Sequence, residues 1–354
     1  MSTQPQTKEV LIFELYEGLC RHWRRWMRQF VYGGIVTMVA CTLSASYFLL
    51  PMEGDLHAVK RLVEIPVGST GRDVARLLHE AEVVRDPQAF AMFARLLGFD
   101  SDLKAGYYLF SPGMTPLQIL THIQQGNVVT KRVTIPEGFN LEEIASLLAR
   151  MGLADEGRFL RFARDKRLVY GDSCPIDMPV DTLEGYLFPD TYRFAKGQRE
   201  EEIIKIMVNR FLEVATPLYE GYGGPMTFHE VVALASIVEK EAIYDRERPV
   251  IAGVFLNRLR IGMRLQADPT VRYVVNEPRS RVLYRDLEVE SPYNTYRYPG
   301  LPPGPIASPG LASIRAVIKP ADVDYMYFIA RGDGTHYFSR TFAEHVAARR
   351  RFGY

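Results

Sequence analysis

Polar and apolar positions change rhythm three times along this chain, and each change marks a different kind of element. The longest uncharged stretch runs from Phe30 to Leu50, and about 20 mainly apolar residues in a helix suffice to cross the hydrocarbon core of a bilayer. A single span over 29–50 is therefore expected. Arg21, Arg24, Arg25 and Arg28 precede it and Glu53 and Asp55 follow it, so the positive-inside bias puts residues 1–28 in the cytoplasm and everything beyond outside. A cleaved signal peptide is the competing reading, because Ser44, Ala45 and Ser46 are small; the long charged leader and the length of the apolar run favour an anchor.

Beyond the span the pattern repeats. Val63-Glu-Ile-Pro-Val-Gly68, followed by Val74, Ala75, Leu77 and Leu78, recurs as Val133-Thr-Ile-Pro-Glu-Gly138, followed by Ile144, Ala145, Leu147 and Leu148. Phe90-Ala-Met-Phe-Ala-Arg95 returns as Phe159-Leu-Arg-Phe-Ala-Arg164, and Tyr108, Phe110 and Gly113 are echoed by Tyr192, Phe194 and Gly197. Each copy predicts a short strand, a Pro and Gly turn, two amphipathic helices and a second, aromatic strand. Such a strand-helix-helix-strand unit resembles the LysM-type glycan-binding fold. Residues 51–205 are accordingly expected to be a duplicated region that binds a ligand, or one that only braces the chain.

From about residue 225 the period becomes helical. Thr227 is placed to cap a helix carrying Val231, Val232, Ala235 and Val238 at helical spacing up to Glu241. A second helix is expected around Pro249 to Leu259. The stretch from there to Ser308 reads as loop, and long loops inside a compact domain are usually functional. Tyr325 to Ala330 and His336 to Ser339 alternate like strands around Gly332-Asp-Gly334, which predicts a hairpin. The whole is an α+β chain in four parts: a leader at 1–28, a transmembrane helix at 29–50, the duplicated region at 51–205, and a final domain at 206–354.

Composition narrows the function. With 47% hydrophobic and 24% charged residues the chain has a globular rather than a disordered balance. The 43 basic residues against 42 acidic ones leave no overall field to attract nucleic acid. Cys20, Cys41 and Cys174 are scattered, with no CxxC pair, and the seven histidines show no metalloprotease spacing. Neither a metal nor a disulfide framework is expected.

Candidate chemistry concentrates in Leu234-Ala-Ser-Ile-Val-Glu-Lys-Glu241, an apolar helix that ends in three charges. Glu239 and Glu241 are two residues apart, hence about 200° apart around a helix, and cannot both address one reacting atom. One can act while the other supports. Position alone does not choose, and a glutamate at the margin of an apolar stripe is more often a surface or salt-bridge residue than a catalyst.

A set of motifs in fixed order changes that balance. Ala235-Ser-Ile-Val-Glu-Lys-Glu241, Phe255-Leu-Asn-Arg-Leu-Arg-Ile-Gly-Met-Arg-Leu-Gln-Ala-Asp-Pro-Thr270, Tyr293-Asn-Thr-Tyr296, Gly300-Leu-Pro-Pro-Gly304 and Ala307-Ser-Pro-Gly310 together resemble the endolytic murein transglycosylase family, also called YceG-like. With Glu184-Gly-Tyr-Leu-Phe-Pro-Asp-Thr-Tyr192, the resemblance covers nearly everything after the span. It implies a C-terminal catalytic domain of the lysozyme-like or transglycosylase type, with Glu241 as the catalytic residue.

The same resemblance implies a membrane-anchored enzyme of the bacterial inner membrane, its catalytic part periplasmic, acting on peptidoglycan strands and working beside peptidoglycan synthases. The chemistry it implies is cleavage of the MurNAc-GlcNAc β-1,4 bond inside a strand. The muramic C6 hydroxyl attacks C1 to leave a 1,6-anhydro end, so one carboxyl serves as acid and then base, without a cofactor. Gln266, Asp268, Asn294 and Tyr296, with Glu239, are candidate substrate-holding residues, since sugar recognition combines amide and carboxylate hydrogen bonds with an aromatic face. Asp268-Pro-Thr is equally readable as a turn and Tyr296 as a surface aromatic. Two rival functions stand beside this one. The first is a non-catalytic scaffold that holds glycan near the membrane. The second is a pyridoxal phosphate enzyme of the aminodeoxychorismate lyase type, with Lys240 as its Schiff-base lysine, although no phosphate-cradling glycine loop accompanies it.

Overall fold

The computed structural model describes residues 59–99, 103–275 and 282–353, and, before them, 23, 25–40, 42, 47 and 50–52. Among the described residues no helix is long and apolar enough to cross a membrane. Residues 1–22 and 24 of the expected leader, and 41, 43–46, 48 and 49 of the expected span at 29–50, lie outside the described residues. What is described is a mixture of helices and short antiparallel strand pairs, the α+β class expected. It divides into two compact units, residues 1–129 and 130–354.

In the first unit, strand β1 (Arg61–Ile65) leads through helices α1 (Gly71–Glu80) and α2 (Pro87–Leu96) to strand β2 (Gly106–Phe110). The two strands pair antiparallel, with Val63 opposite Tyr108. Thr70 opens α1 with a capping box to Asp73, and Asp86 with Pro87 opens α2, which satisfies amides that a helix start otherwise leaves bare. Val74, Leu78, Phe90 and Phe110 fill the core. A third helix, α3 (Pro116–Gln125), closes the unit; the repeat did not predict it.

The second unit begins with the same order: β3 (Thr130–Thr134), α4 (Leu141–Arg150), α5 (Glu156–Ala163), a short α6 (Lys166–Tyr170) and β4 (Thr191–Ala195). Val133 again faces a tyrosine, Tyr192. In both copies the aromatic strand stacks its two rings on one face, Tyr108 on Phe110 at 5.6 Å and Tyr192 on Phe194 at 5.3 Å. Each tyrosine hydroxyl donates to the carbonyl four residues back, of Lys104 or of Phe188. The expected strand-helix-helix-strand unit is thus present twice.

The second copy does not stop at residue 205 as an independent body. Its buried Phe159, Tyr192 and Phe194 belong to one core with Phe211 of α7 (Glu200–Glu220) and with Val231, Leu234 and Val238 of α8 (Phe228–Glu241). Helix α8 starts at a Thr227–Glu230 capping box, as its sequence predicts. It packs against α9 (Arg248–Arg260), α10 (Asp268–Val275) and α11 (Leu311–Ile318). The stretch after α9 is less loop-rich than expected, since Asp268-Pro-Thr opens the helix α10 and is not a free turn. Proline is well tolerated in a first helical turn, where its missing N–H is no loss. The predicted hairpin is β5 (Tyr327–Ala330) with β6 (His336–Ser339), and α12 (Phe342–Phe352) ends the chain.

A tight contact holds the second copy to the final domain. Gly185 has φ +84°, and a Cβ there would lie 2.3 Å from Pro305. Gly185→Ala is therefore expected to destabilise the second unit by more than about 2 kcal/mol, a left-handed residue and a forced overlap adding together. Urea unfolding of the variant measures it.

Candidate active site

Helix α8 carries its chemistry on two sides. One side is a ladder of polar residues that hold a proline-rich loop. Near its start, buried His229 donates through Nε2 to the Pro303 carbonyl at 2.7 Å and accepts at Nδ1 from the Tyr186 hydroxyl at 2.6 Å. A carbonyl can only accept, so Nε2 carries a proton. Two turns on, the Ser236 hydroxyl accepts from the Ile306 amide at 3.0 Å. Near the helix end, Glu239 accepts from the Gly310 amide at 2.9 Å with one oxygen and from Arg248 at 2.9 Å with the other.

Glu239 therefore has both oxygens committed within the protein. Arg248, itself buried, reaches Ser313 and Asp245 as well as Glu239, so the pair joins α8 to the starts of α9 and α11. The second copy adds Glu137, whose carboxylate lies over Gly310. Burial raises the Glu137 pKa, the Glu239 charge adds to the rise, and Arg248 opposes it. Lys240 donates to the Gly138 carbonyl at 3.0 Å, which engages the ammonium that a Schiff base would need.

Glu241 is turned about 200° from Glu239 and faces different company. It ends α8, where the chain leaves the helix through an extended Ala242. Burial pushes its carboxyl up to about 8; Asp268 adds to the rise, and Arg272 and Arg258 oppose it. The negative end of the helix dipole acts in the same direction as burial. Asp268 and Arg272 stand one turn apart on α10 and so share a face, both exposed, while Glu241 is half-buried. Arg258 of α9 is buried, donates to the Met326 and Leu265 carbonyls, and lies with its guanidinium 5.4 Å from the Tyr327 ring centre.

Two motifs far apart in sequence are locked into one structure beside this acid. The Gln266 amide donates to the Thr295 carbonyl at 3.2 Å and the Ala267 amide to the Thr295 hydroxyl at 3.0 Å. Thr270 and Thr295 share a buried hydroxyl contact of 2.9 Å. Tyr296 donates its hydroxyl to Asp268 at 2.5 Å. Gln266 has φ +47°, a strained conformation for a residue with a side chain, and its backbone makes the bend into α10.

The expected site residues thus divide. Glu241, Asp268 and Tyr296 come together, and Gln266 sits exposed at the bend before Asp268. Asn294 is fully buried; it donates to the Leu287 and Val289 carbonyls and accepts from the Tyr296 amide, so it shapes the loop from behind. Glu239 points the other way. Arg258 and Arg272 escaped the sequence reading, although an arginine between Phe255-Leu-Asn and Leu259, in an otherwise apolar stretch, is the kind of signal that marks a buried cation.

The chain resembles known proteins over most of its length. A family model for the YceG-like family matches residues 63–351. The chain belongs to the YceG-like family. An endolytic murein transglycosylase of Bacillus subtilis (strain 168) is 34% identical over 324 residues, covering 86% of this chain and 88% of its own length. An endolytic murein transglycosylase of Streptococcus pneumoniae serotype 2 is 32% identical over 335 residues, covering 84% of this chain but only 60% of its own. The crystal structure of a yceG-like protein from Listeria monocytogenes is 38% identical, with a TM-score of 0.55 over 82% of this chain and 99% of that one.

The two glutamates are expected to behave oppositely in stability measurements. Glu239→Ala takes the buried partner from Arg248, leaving it Asp245 and Ser313, and bares the Gly310 amide, and should cost about 1 to 3 kcal/mol. Glu241→Gln should stabilise. In the unfolded chain the Glu241 carboxyl ionises from about 4.5, whereas the folded protein keeps its proton to about 8. Wild type therefore loses stability relative to Glu241→Gln as pH rises between those values, and the gap is constant above them. Thermal melts across that range check the sign; a gap that does not vary with pH would overturn the assignment.

Proposed function

We propose that this chain is an endolytic lytic transglycosylase of peptidoglycan, cleaving the MurNAc-GlcNAc β-1,4 bond inside glycan strands, with Glu241 as the single acid and base. The observation that carries the reading is one carboxyl at a helix end, held protonated near neutral pH and flanked by two arginines. The named function of the bacillar and streptococcal relatives supports it.

Glycosidic cleavage needs a proton for the leaving oxygen and charge stabilisation for an oxocarbenium-like centre. Glu241 supplies the proton. Once it is ionised, Arg258 and Arg272 offset the cost of the buried carboxylate, which then accepts a proton from the muramic C6 hydroxyl as that oxygen attacks C1. The proton lost in the first half returns in the second. The new sugar end is a 1,6-anhydro ring and no water is consumed. Asp268 is the other acid near Glu241, and the Tyr296 hydroxyl occupies one of its oxygens, which suits a role in holding substrate and in tuning Glu241 better than one in activating water.

The duplicated strand-helix-helix-strand units fit a LysM-like role in holding glycan. Phe30 to Leu50 fits a single inner-membrane anchor, with residues 1–28 cytoplasmic and the rest periplasmic, where strands made by peptidoglycan synthases emerge.

Glu241→Gln should lower strand cleavage by about a hundred- to ten-thousand-fold, the usual contribution of general acid catalysis. Products of the wild-type protein should carry 1,6-anhydromuramyl ends, and mass spectrometry in 18O-labelled water should find no label in them. Labelled reducing ends would make the enzyme a hydrolase, with Asp268 as the candidate base. For the anchor, an alkaline phosphatase fused after Tyr354 should be active in cells; an inactive fusion, with an active cytoplasmic reporter at the same place, would reverse the topology.

A further inference from the structure

The two copies of the duplicated unit differ where their paired helices begin. In the first copy a groove of about 1010 Å³ opens between α1 and α2, lined by Arg72 from one helix and by Arg95 from the other. Among the described residues no carboxylate lines it. The acids nearest along the chain are committed elsewhere: Asp73 closes the capping box of α1 and pairs with Arg76, and Asp86 caps α2. Neither Arg72 nor Arg95 has an ion-pair partner among the described residues. Two guanidinium groups on one groove repel each other, and an anion between them relieves the repulsion.

In the second copy the chain supplies that anion itself. Gly68 answers to Gly138 and Phe90 to Phe159, so Arg72 corresponds to Glu142, Pro87 to Glu156 and Arg95 to Arg164. Glu142 and Glu156 stand in the first turns of α4 and α5. Arg164 donates to Glu142, so an ion pair joins the two helices at the place where the first copy is open. A solvent-facing pair of this kind adds little stability, and the fold of the unit does not require it, since the first copy closes its core without one.

We propose that the groove of the first copy binds a carboxylate-bearing glycan, whose carboxylates meet Arg72 and Arg95 as Glu142 meets Arg164 in the second copy. The first copy is then the binding member of the pair, and the second is a structural one. An arginine fork matches both oxygens of a carboxylate, and the starts of α1 and α2 add their partial positive charge. The rest of the lining suits a sugar chain, since Ser69 and Gln88 offer a hydroxyl and an amide and the exposed Met92 an apolar wall. The inference rests on the reading of this chain as a peptidoglycan enzyme, which supplies the ligand: murein strands carry carboxylates on their lactyl groups or stem peptides, and a polymer of N-acetylglucosamine alone carries none.

Binding is measured on the full chain in detergent with Glu241→Gln present throughout, so that strands are held and not cut. Soluble murein strands should bind more tightly than a chitin oligosaccharide of equal length, and the preference should shrink as salt rises and screens the charges. Arg72→Glu gives the first copy the residue that the second copy has. It should pair with Arg95, keep the fold by circular dichroism, and weaken binding of murein strands by about ten- to a hundredfold. Arg72→Gln, which removes one charge and adds none, should give a smaller loss in the same direction. Arg193→Glu makes the same charge reversal on an exposed residue of β4 and should leave the affinity unchanged. Full affinity in both Arg72 variants, or equal binding of murein and chitin oligosaccharide, would overturn the proposal. Displacement of the strand by phosphatidylglycerol added to the detergent would also overturn it and assign the groove to a lipid surface. Products of the wild-type chain that lack anhydro ends would instead remove the proposed reaction, which these binding measurements do not touch.

Discussion

The rest of this structure depends on how one helix, α8, is allowed to pass through the core while carrying polar side chains. Buried polar groups are tolerated only when they are bonded. His229, Ser236 and Glu239 meet that requirement largely against one shared element, the loop from Pro303 to Gly310, with Tyr186 and Arg248 taking the remaining bonds of His229 and Glu239. The loop is suited to a dry position because Pro302, Pro303, Pro305 and Pro309 have no amide proton to satisfy. Of its remaining amides, those of Ile306, Ser308 and Gly310 all find acceptors. The helix and the loop thus satisfy each other, and the end of α8 is placed by three fixed points and not by apolar packing alone.

The second copy of the duplicated unit takes part in the same scheme. Its Pro136-Glu-Gly138 turn answers to Pro66-Val-Gly68 in the first copy, and both glycines take a left-handed φ. In the second copy that turn has further duties. The Gly138 amide donates to the Ser308 carbonyl, the Ser308 amide to the Phe139 carbonyl, and Lys240 to the Gly138 carbonyl. A module that elsewhere in the chain closes its own core has here become a wall of the domain that holds Glu241. That is why a division by sequence pattern at 205 and a division by compactness at 129 differ.

Much of this was legible in the residues. Period and punctuation marked both β-α-α-β units, the capped start of α8, helix α9 and the last hairpin, because each is decided by local spacing and capping chemistry. Helix α10 was not legible. Its Val-Arg-Tyr-Val-Val run is a poor helix former by propensity, and only packing against α8 makes it one. Glu241 was selected by likeness to a family and not by spacing, since Glu239 has the same margin position on the wheel. What separates them is tertiary: Arg248 and Gly310 claim one, while Asp268, Arg258 and Arg272 surround the other. Asn294 looked like a sugar-binding amide for a similar reason, since a side chain that bonds its own loop cannot be told from one that bonds a ligand until the loop is folded.

The charges around Glu241 set how firmly its carboxyl holds a proton. An acid that is merely buried would hold its proton too tightly, and its conjugate base would be too costly to form. An acid paired closely with an arginine would have none to give. Here burial and Asp268 push one way while Arg258 and Arg272 push the other, and the balance falls at about 8, close to neutral pH, where proton donation and proton recovery are both cheap. Arg258 can hold this balance because it is itself fixed, by the Met326 and Leu265 carbonyls and the Tyr327 ring, and so cannot swing in to form a tight ion pair. Asp268 is likewise tied by Tyr296. The protein holds the Glu241 carboxyl near its midpoint by immobilising Arg258 on one side of the balance and Asp268 on the other.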